Sequence, residues 1–226
     1  MQNTSHAVMA QRIEPADSAD DFPTPPWATR ALLEHVMRDK GNLKRMSCLE
    51  PACGAGHMAK VLKEYFGDVR CSDAFDYRYA PVRDFIARPY EANAVDWVIT
   101  NPPFRLAEEF VLRGLVVARR GVAILARTVF LESVGRYDRI FRSSPPAKFA
   151  QFVERVPMVK GRLDSKATTA TGYAWLVWDK AHKSAPEVVW IPPCRRVLEK
   201  RDDYLPVVPS QVSLASYSAT ASRRIV

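Results

Sequence analysis

Short apolar runs alternate with longer stretches of helical periodicity along most of this chain. MSCLEPA is an apolar run that meets a glycine-rich turn, GAG, and HMAKVLKEYF follows it with apolar residues at a helical period. DVRCSDAFD reads as a second short strand that ends in acid, AVDWVIT as a third, and GVAILA as a buried fourth. Residues 149–159 and 173–178 suit two further strands, with the polar GRLDSKATTATG between them. RLAEEFVLRGLVVARR is the clearest helix: Leu106, Phe110, Val111, Leu115 and Val117 supply its apolar face. Arg119 and Arg120 then fall at its C-terminal end, where cations complement the helix dipole. Upstream, the prolines of DFPTPPW forbid a helix as far as Pro26, after which Trp27, Leu32, Leu33, Val36 and Met37 recur at helical spacing. Residues 1–20 are polar and aperiodic and are expected to form a mobile arm. Residues 76–94 suit a loop or short helix, and 201–226, rich in Ser and charge, suit a loose tail.

Strands alternating with helices predict an α/β domain over residues 21–200, built on a mainly parallel sheet. The last two strands are joined without a helix and predict an antiparallel hairpin at one edge. Ligands of such sheets sit outside the carboxyl ends of the strands.

Charge changes the picture more than composition does. The 226 residues suit one domain with a sizeable core, and their net charge is +8. Between residues 113 and 166, from Arg113 at the start to Lys166 at the end, twelve basic residues face four acidic ones, so this block carries the whole excess. A basic block in one part of a domain favours a polyanion, most simply nucleic acid; a solvated cationic face is the plainer alternative. No apolar run approaches the roughly 18 residues of a membrane span, and residues 1–12 lack a signal-peptide core. Cys48, Cys53, Cys71 and Cys194 show neither CxxC nor metal-ligand spacing. They read as reduced thiols of a cytoplasmic protein, with no metal site expected.

Unusual residues stand at four strand ends. Gly54 and Gly56 let the backbone pass close to a ligand ahead of a helix N-terminus, although Ala59 departs from the third glycine of the dinucleotide pattern. Asp73 can accept both hydroxyls of a ribose or cap a helix. Glu50 beneath the turn can attract a cationic group or stand exposed. In VITNPPF, Asn101 both donates and accepts, while Pro102 and Pro103 remove two backbone donors and leave carbonyl acceptors. Such a pair grips an exocyclic NH₂, and Phe104 can stack on the ring that carries it. Neither residue is a strong base, so the chemistry rests on positioning an amine against an activated electrophile. In isolation, NPP also suits a strand terminator and helix cap. His57 reads as a packing or capping residue, Trp175 and Trp178 as core, and Cys53 lacks a base to make it a nucleophile. Arg136, Arg139 and Arg142, at helical spacing, suit a phosphate backbone or a solvated face.

The ordered set PTPPW, EPACGAG, SDA, Asp84-Phe85 and TNPPF resembles the S-adenosylmethionine-dependent amino-methyltransferases of DNA bases, and is most similar to small phage-type N6-adenine DNA methyltransferases. The resemblance covers residues 21–180 and implies a Rossmann-like methyltransferase fold with S-adenosyl-L-methionine as cofactor. It implies that Phe22, Thr24 and Pro25 lie against the methionine part, with Thr24 near its carboxylate. Glu50, Ala52, Gly54 and Gly56 then form the first cofactor motif. Asp73 binds the ribose, Ala74 packs on adenine, and Asp84 with Phe85 contacts the adenine edge. Asn101, Pro102, Pro103 and Phe104 form the catalytic loop, and Phe130 with Leu131 lines the target-base pocket. The implied activity is methyl transfer to the N6 of adenine in double-stranded DNA, with the base flipped out and phosphates held by the basic block. RNA bases, cytosine N4 and protein glutamine amides are alternative targets of NPP loops, and a non-catalytic DNA-binding subunit is an alternative of another kind. The loop at 161–172 is short beside the recognition segments that sequence-reading members carry, which leaves the recognised sequence open.

Overall fold

The computed structural model describes residues 20–39 and 41–205. The expected arm at 1–19 and the tail from 206 lie outside the described residues.

Seven strands form one sheet in the order β2-β1-β3-β4-β6-β5-β7. They are β1 (Ser47–Glu50), β2 (Asp68–Cys71), β3 (Val95–Thr100), β4 (Ala118–Arg127), β5 (Lys148–Phe152), β6 (Tyr173–Asp179) and β7 (Glu187–Ile191). The pairs β1–β2, β1–β3 and β3–β4 are parallel. Strand β6 is antiparallel to both β4 and β5, and β7 is parallel to β5. The helices are α1 (Pro26–Ala31), continued by a π turn at Leu32–Val36, α2 (His57–Tyr65), α3 (Ala107–Val117), the single turn α4 (Val134–Arg136) and α5 (Arg195–Leu198). This is the mainly parallel α/β sheet that the sequence predicts.

Apolar alternation along the central strands assigns the two faces. Trp97, Ile99, Ala123, Leu125, Trp175 and Val177 pack on one side against α1 and α2 through Trp27, Leu32, Met58 and Leu62. Val98, Val122, Ile124, Leu176 and Trp178 pack on the other against Phe110, Val111 and Val117 of α3. Strands buried on both faces read as continuous apolar runs, which is why β3 and β4 are legible in sequence. Trp175 and Trp178 are core residues as expected, and their indole N–H groups donate to the carbonyls of Ala28 and Ser144.

Four expectations are corrected. Helix α3 stops at Val117, and Arg119 and Arg120 begin β4 instead of ending the helix. Both pair with Asp96 at the start of β3, which supplies locally the counter-charge that a helix terminus would have offered. The β5–β6 hairpin is not at the edge, because EVVWI adds β7 outside it. Strand β5 ends at Phe152, well short of 159. Residues 201–205 are not loose: Asp203 is buried, with both oxygens on the guanidinium of buried Arg30 at 2.8 and 2.9 Å, and Glu64 holds the same guanidinium.

Candidate active site

From β1 the chain crosses outward to β2, and from β3 it crosses the other way to β4. A sheet whose order reverses between neighbours leaves a crevice at their carboxyl ends. Here that crevice is a solvent-open cleft, lined from the ends of β1, β2 and β3 and from the segment before α1.

The glycine turn after β1 forms its floor. Gly54 and Gly56 take φ of +50° and +86°, the left-handed region that side chains avoid. A Cβ on Gly56 would lie 2.3 Å from the Tyr79 ring, so Gly56 serves packing behind the turn, whereas Gly54 lines the cleft. The Gly54 N–H donates to Asp73 Oδ2 at 2.8 Å, and the Phe75 N–H donates to Oδ1 at 3.0 Å. Asp73 therefore ties the turn after β1 to the turn after β2 while still facing the cleft. Burial raises its pKa against these hydrogen bonds.

Three polar atoms of cleft-lining residues are buried without a protein partner: Thr24 Oγ1, Glu50 Oε2 and His57 Nδ1. Burial drives the Glu50 carboxyl well above its usual range, with Cys71 and Asp73 adding to the effect, and it drives His57 toward the neutral form. A buried, unpaired acceptor costs free energy unless something donates to it. A zwitterionic amino-acid end suits this set, its ammonium for Glu50 and its carboxylate for Thr24, so the residues present fit the methionine part of S-adenosylmethionine. His57, read from sequence as a packing or capping residue, is also part of this wall.

The catalytic-loop candidates follow the end of β3, the strand beside β1. Asn101 Nδ2 donates to the Phe22 carbonyl at 2.8 Å, which orients the amide and leaves Oδ1 as its acceptor. The Phe104 N–H donates to Asp20 Oδ2 at 2.8 Å, and the Gly161 N–H donates to the Asp21 carbonyl at 2.8 Å. Residues 20–22 thus clamp both ends of the NPPF loop and the start of the polar loop. The Phe104 ring packs 5.6 Å from Phe22 and 6.3 Å from Tyr173, and the Arg127 guanidinium lies 4.0 Å above its centre.

Of the residues singled out from sequence, Phe22, Thr24, Glu50, Ala52, Gly54, Asp73, Ala74, Asp84, Phe85, Asn101 and Pro103 line the cleft. Asp84 also caps its own turn through the N–H groups of Ile86 and Ala87, and Phe85 is buried against Tyr90 and Phe110. Pro25, Gly56, Pro102, Phe104, Phe130 and Leu131 do not line it. Phe130 is a core residue packed on Phe141 and under Arg136, and Leu131 is exposed. Asp20, Asp21 and Tyr77 were missed. Asp20 and Asp21 stand beside the PTPP motif, and two acids before a proline run are the signal that could have drawn attention.

The basic block divides. Arg119 and Arg120 lie at the sheet end away from the cleft, and they and Lys148 all have carboxylate partners. Arg136 donates to the Phe130 carbonyl, Arg139 pairs with Glu108 and Arg142 with Asp138, which favours the plainer reading of that series. Arg127 and Arg155 are exposed at the cleft end, as are Lys160 and Arg162 on the loop that Asp21 anchors. Among the described residues no helix is long and apolar enough to cross a membrane.

This is the Rossmann-like fold of methyltransferases. The chain is similar in structure to a candidate RNA methyltransferase of Pyrococcus horikoshii, at TM-score 0.52 and 14% identity over 70% of this chain and 84% of that one. It is similar to a modification subunit of a candidate type I restriction enzyme of Vibrio vulnificus, at TM-score 0.53 and 14% identity over 78% of this chain and 48% of that one. It is also similar to the methyltransferase subunit of a type I restriction-modification system of Streptococcus thermophilus, at TM-score 0.50 and 13% identity. There it covers 73% of this chain and 46% of that one, so the chain spans about half the length of the two restriction-system proteins. No family model matches the sequence, and no curated protein matches it.

Proposed function

We propose that this protein transfers a methyl group from S-adenosylmethionine to the N6 amine of adenine in DNA, with the target base flipped out of the duplex. The observation that carries the reading is that Asn101 lines the same cleft as Glu50, Thr24 and Asp73. Asn101 Nδ2 donates to the Phe22 carbonyl and toward Met158 Sδ, which leaves Oδ1 as the atom to accept from an incoming amine.

S-adenosylmethionine, when bound, supplies an electrophilic methyl group on a sulfonium. Glu50 and Thr24 hold its amino-acid end, Gly54 leaves room for it, and Asp73 accepts its ribose hydroxyls. Asn101 Oδ1 and the Pro102 carbonyl accept the two amine hydrogens and so aim the nitrogen lone pair across the cleft. Pro103 keeps that loop stiff. No strong base stands in the loop, and none is required: the amine gains acidity once methylated, and its extra proton passes to solvent. Closely held geometry of this kind can supply several kcal/mol of a barrier by itself. Arg127, Arg155 and Arg162 at the cleft end supply phosphate contacts, which position a strand without reading its sequence.

Incubation with tritiated S-adenosylmethionine and unmethylated DNA, followed by nucleoside analysis, tests the reading. Label in N6-methyldeoxyadenosine is expected. Label that appears on RNA or protein but not on DNA refutes it. Label in N4-methylcytosine keeps the amine clamp and corrects the base.

A further inference from the structure

Arg127 closes β4, and its guanidinium carbon stands 4.0 Å above the centre of the Phe104 ring. Other arginines that stack on aromatic rings in this protein are pinned from behind. Arg83, over Tyr90, donates to the Pro89 carbonyl; Arg136, over Phe130, donates to the Phe130 carbonyl at 2.7 Å; Arg142, over Tyr137, pairs with Asp138 at 2.9 Å. Arg127 differs. Among the described residues it has no carboxylate or carbonyl partner, and its contacts are the Phe104 ring and the Tyr173 hydroxyl. It is also exposed, at the carboxyl end of β4.

A flat cation on an aromatic face occupies the slot that a flat base would take. The ring beneath it is the one in the NPPF loop; Asp20 and Phe22 hold the loop, and the ring itself packs between Phe22 and Tyr173, which opposes its swinging away to expose a fresh face. The cation must leave instead. A base brought in alone offers it nothing in exchange for the lost stacking. A base brought in on a phosphodiester chain offers a phosphate, which binds a guanidinium through paired charge-assisted hydrogen bonds.

We propose that Arg127 makes this site selective for a base carried on a phosphodiester strand: its guanidinium covers Phe104 while no strand is bound and passes to a strand phosphate when the base takes that face. The proposal rests on the reading of the Asn101–Phe104 loop as the base site, and it makes Arg127 a specificity-determining positioning residue. It acts on where the base sits and leaves the transfer itself to the loop.

Two measurements on the full chain test it. The first needs no turnover. In proton NMR of arginine-labelled protein, the Arg127 side-chain methylenes are expected to be shifted upfield by the Phe104 ring current. Saturation with a random-sequence single-stranded oligodeoxynucleotide is expected to return them toward unstacked values, and deoxyadenosine at the same base concentration is not. Unshifted signals in the free protein, or signals that stay shifted in the saturated complex, overturn the proposal. The second compares transfer to the oligonucleotide with transfer to deoxyadenosine. In Arg127→Ala the preference for the strand is expected to fall roughly 10- to 150-fold, the factor one charge-assisted contact provides. Arg127→Lys, which keeps the charge without the planar stack, is expected to retain most of the strand's phosphate contact while accepting deoxyadenosine more readily than the wild type. An unchanged preference in Arg127→Ala overturns the proposal. If neither substrate is methylated but the NMR response occurs as described, the cation exchange stands and the methyl-transfer reading is what fails.

Discussion

Replacing Glu50 with glutamine separates what the cleft costs the empty protein from what it contributes to a ligand. Glu50 is 2% exposed; one carboxyl oxygen has no protein partner, and a hydrogen bond from the backbone of Ala59 only partly offsets the burial that raises its pKa. The native state therefore keeps a proton that the unfolded chain releases above about pH 4.3. With more protons bound when folded, stability must fall as pH rises from that value through the raised native pKa. A glutamine amide does not titrate and fills nearly the same volume. Thermal melts of the ligand-free protein from pH 5 to pH 9 should therefore show Glu50→Gln losing less stability than the wild type toward alkaline pH. Ligand binding should run the other way. A cation that meets Glu50 makes a charge-assisted hydrogen bond worth about 1.5–3 kcal/mol, so calorimetric affinity for S-adenosylmethionine should weaken roughly 10- to 150-fold. Parallel pH–stability curves would show that Glu50 is solvated and ionised in the empty protein. Affinity within twofold of wild type would remove Glu50 from the ligand site.

Asn101→Ala should abolish methyl transfer while calorimetric affinity for S-adenosylmethionine stays within a few fold; undiminished turnover refutes the role given to the loop. Gly56→Ala forces a side chain into a left-handed conformation and against the Tyr79 ring, so urea unfolding should register a loss of at least about 2 kcal/mol. A neutral result would mean that the turn is free to rearrange. Asp203→Ala leaves the buried Arg30 guanidinium with Glu64 and the Leu198 carbonyl, and a loss near the lower end of the usual 3–5 kcal/mol, about 3 kcal/mol, is expected in the same assay. A loss under 1 kcal/mol would show that residues 201–205 do not help hold the domain together.

The fold was legible where burial is continuous. Strands β3 and β4 lie in the sheet centre with helices on both faces, and nothing but an unbroken apolar run satisfies that position. Strand β7 was missed because edge strands escape the rule: Val188 and Trp190 are exposed, and Ser184, Ala185 and Pro186 before them read as loop. The end of α3 was misjudged for a different reason. Val116, Val117 and Ala118 suit helix and strand alike, and the choice was made by Asp96, 23 residues away from Arg119 in sequence. Local periodicity cannot express a charge pairing between strands.

The same division runs through the candidate site. Residues whose chemistry is intrinsic, such as Gly54 with its positive φ, Asp73 at a strand end and Asn101 before two prolines, could be picked out by type and spacing. Asp20 and Asp21 were passed over, and Phe22 was picked out for the cofactor and not for the loop, because the importance of this segment lies in where it reaches. Asp20 takes the Phe104 N–H, the Asp21 carbonyl takes the Gly161 N–H, and the Phe22 carbonyl takes the Asn101 amide. Consecutive residues thus set the amide's orientation, the height of the Phe104 ring and the position of the polar loop, across sequence separations of 84 residues for Phe104 and 79 for Asn101. An amine clamp without a base depends on positioning, and in this chain positioning is supplied by a segment that carries no clamp residue. A substitution that shifts the 20–22 backbone, such as Asp20→Pro, should therefore depress transfer as Asn101→Ala does while every cleft residue read from the motifs remains in place.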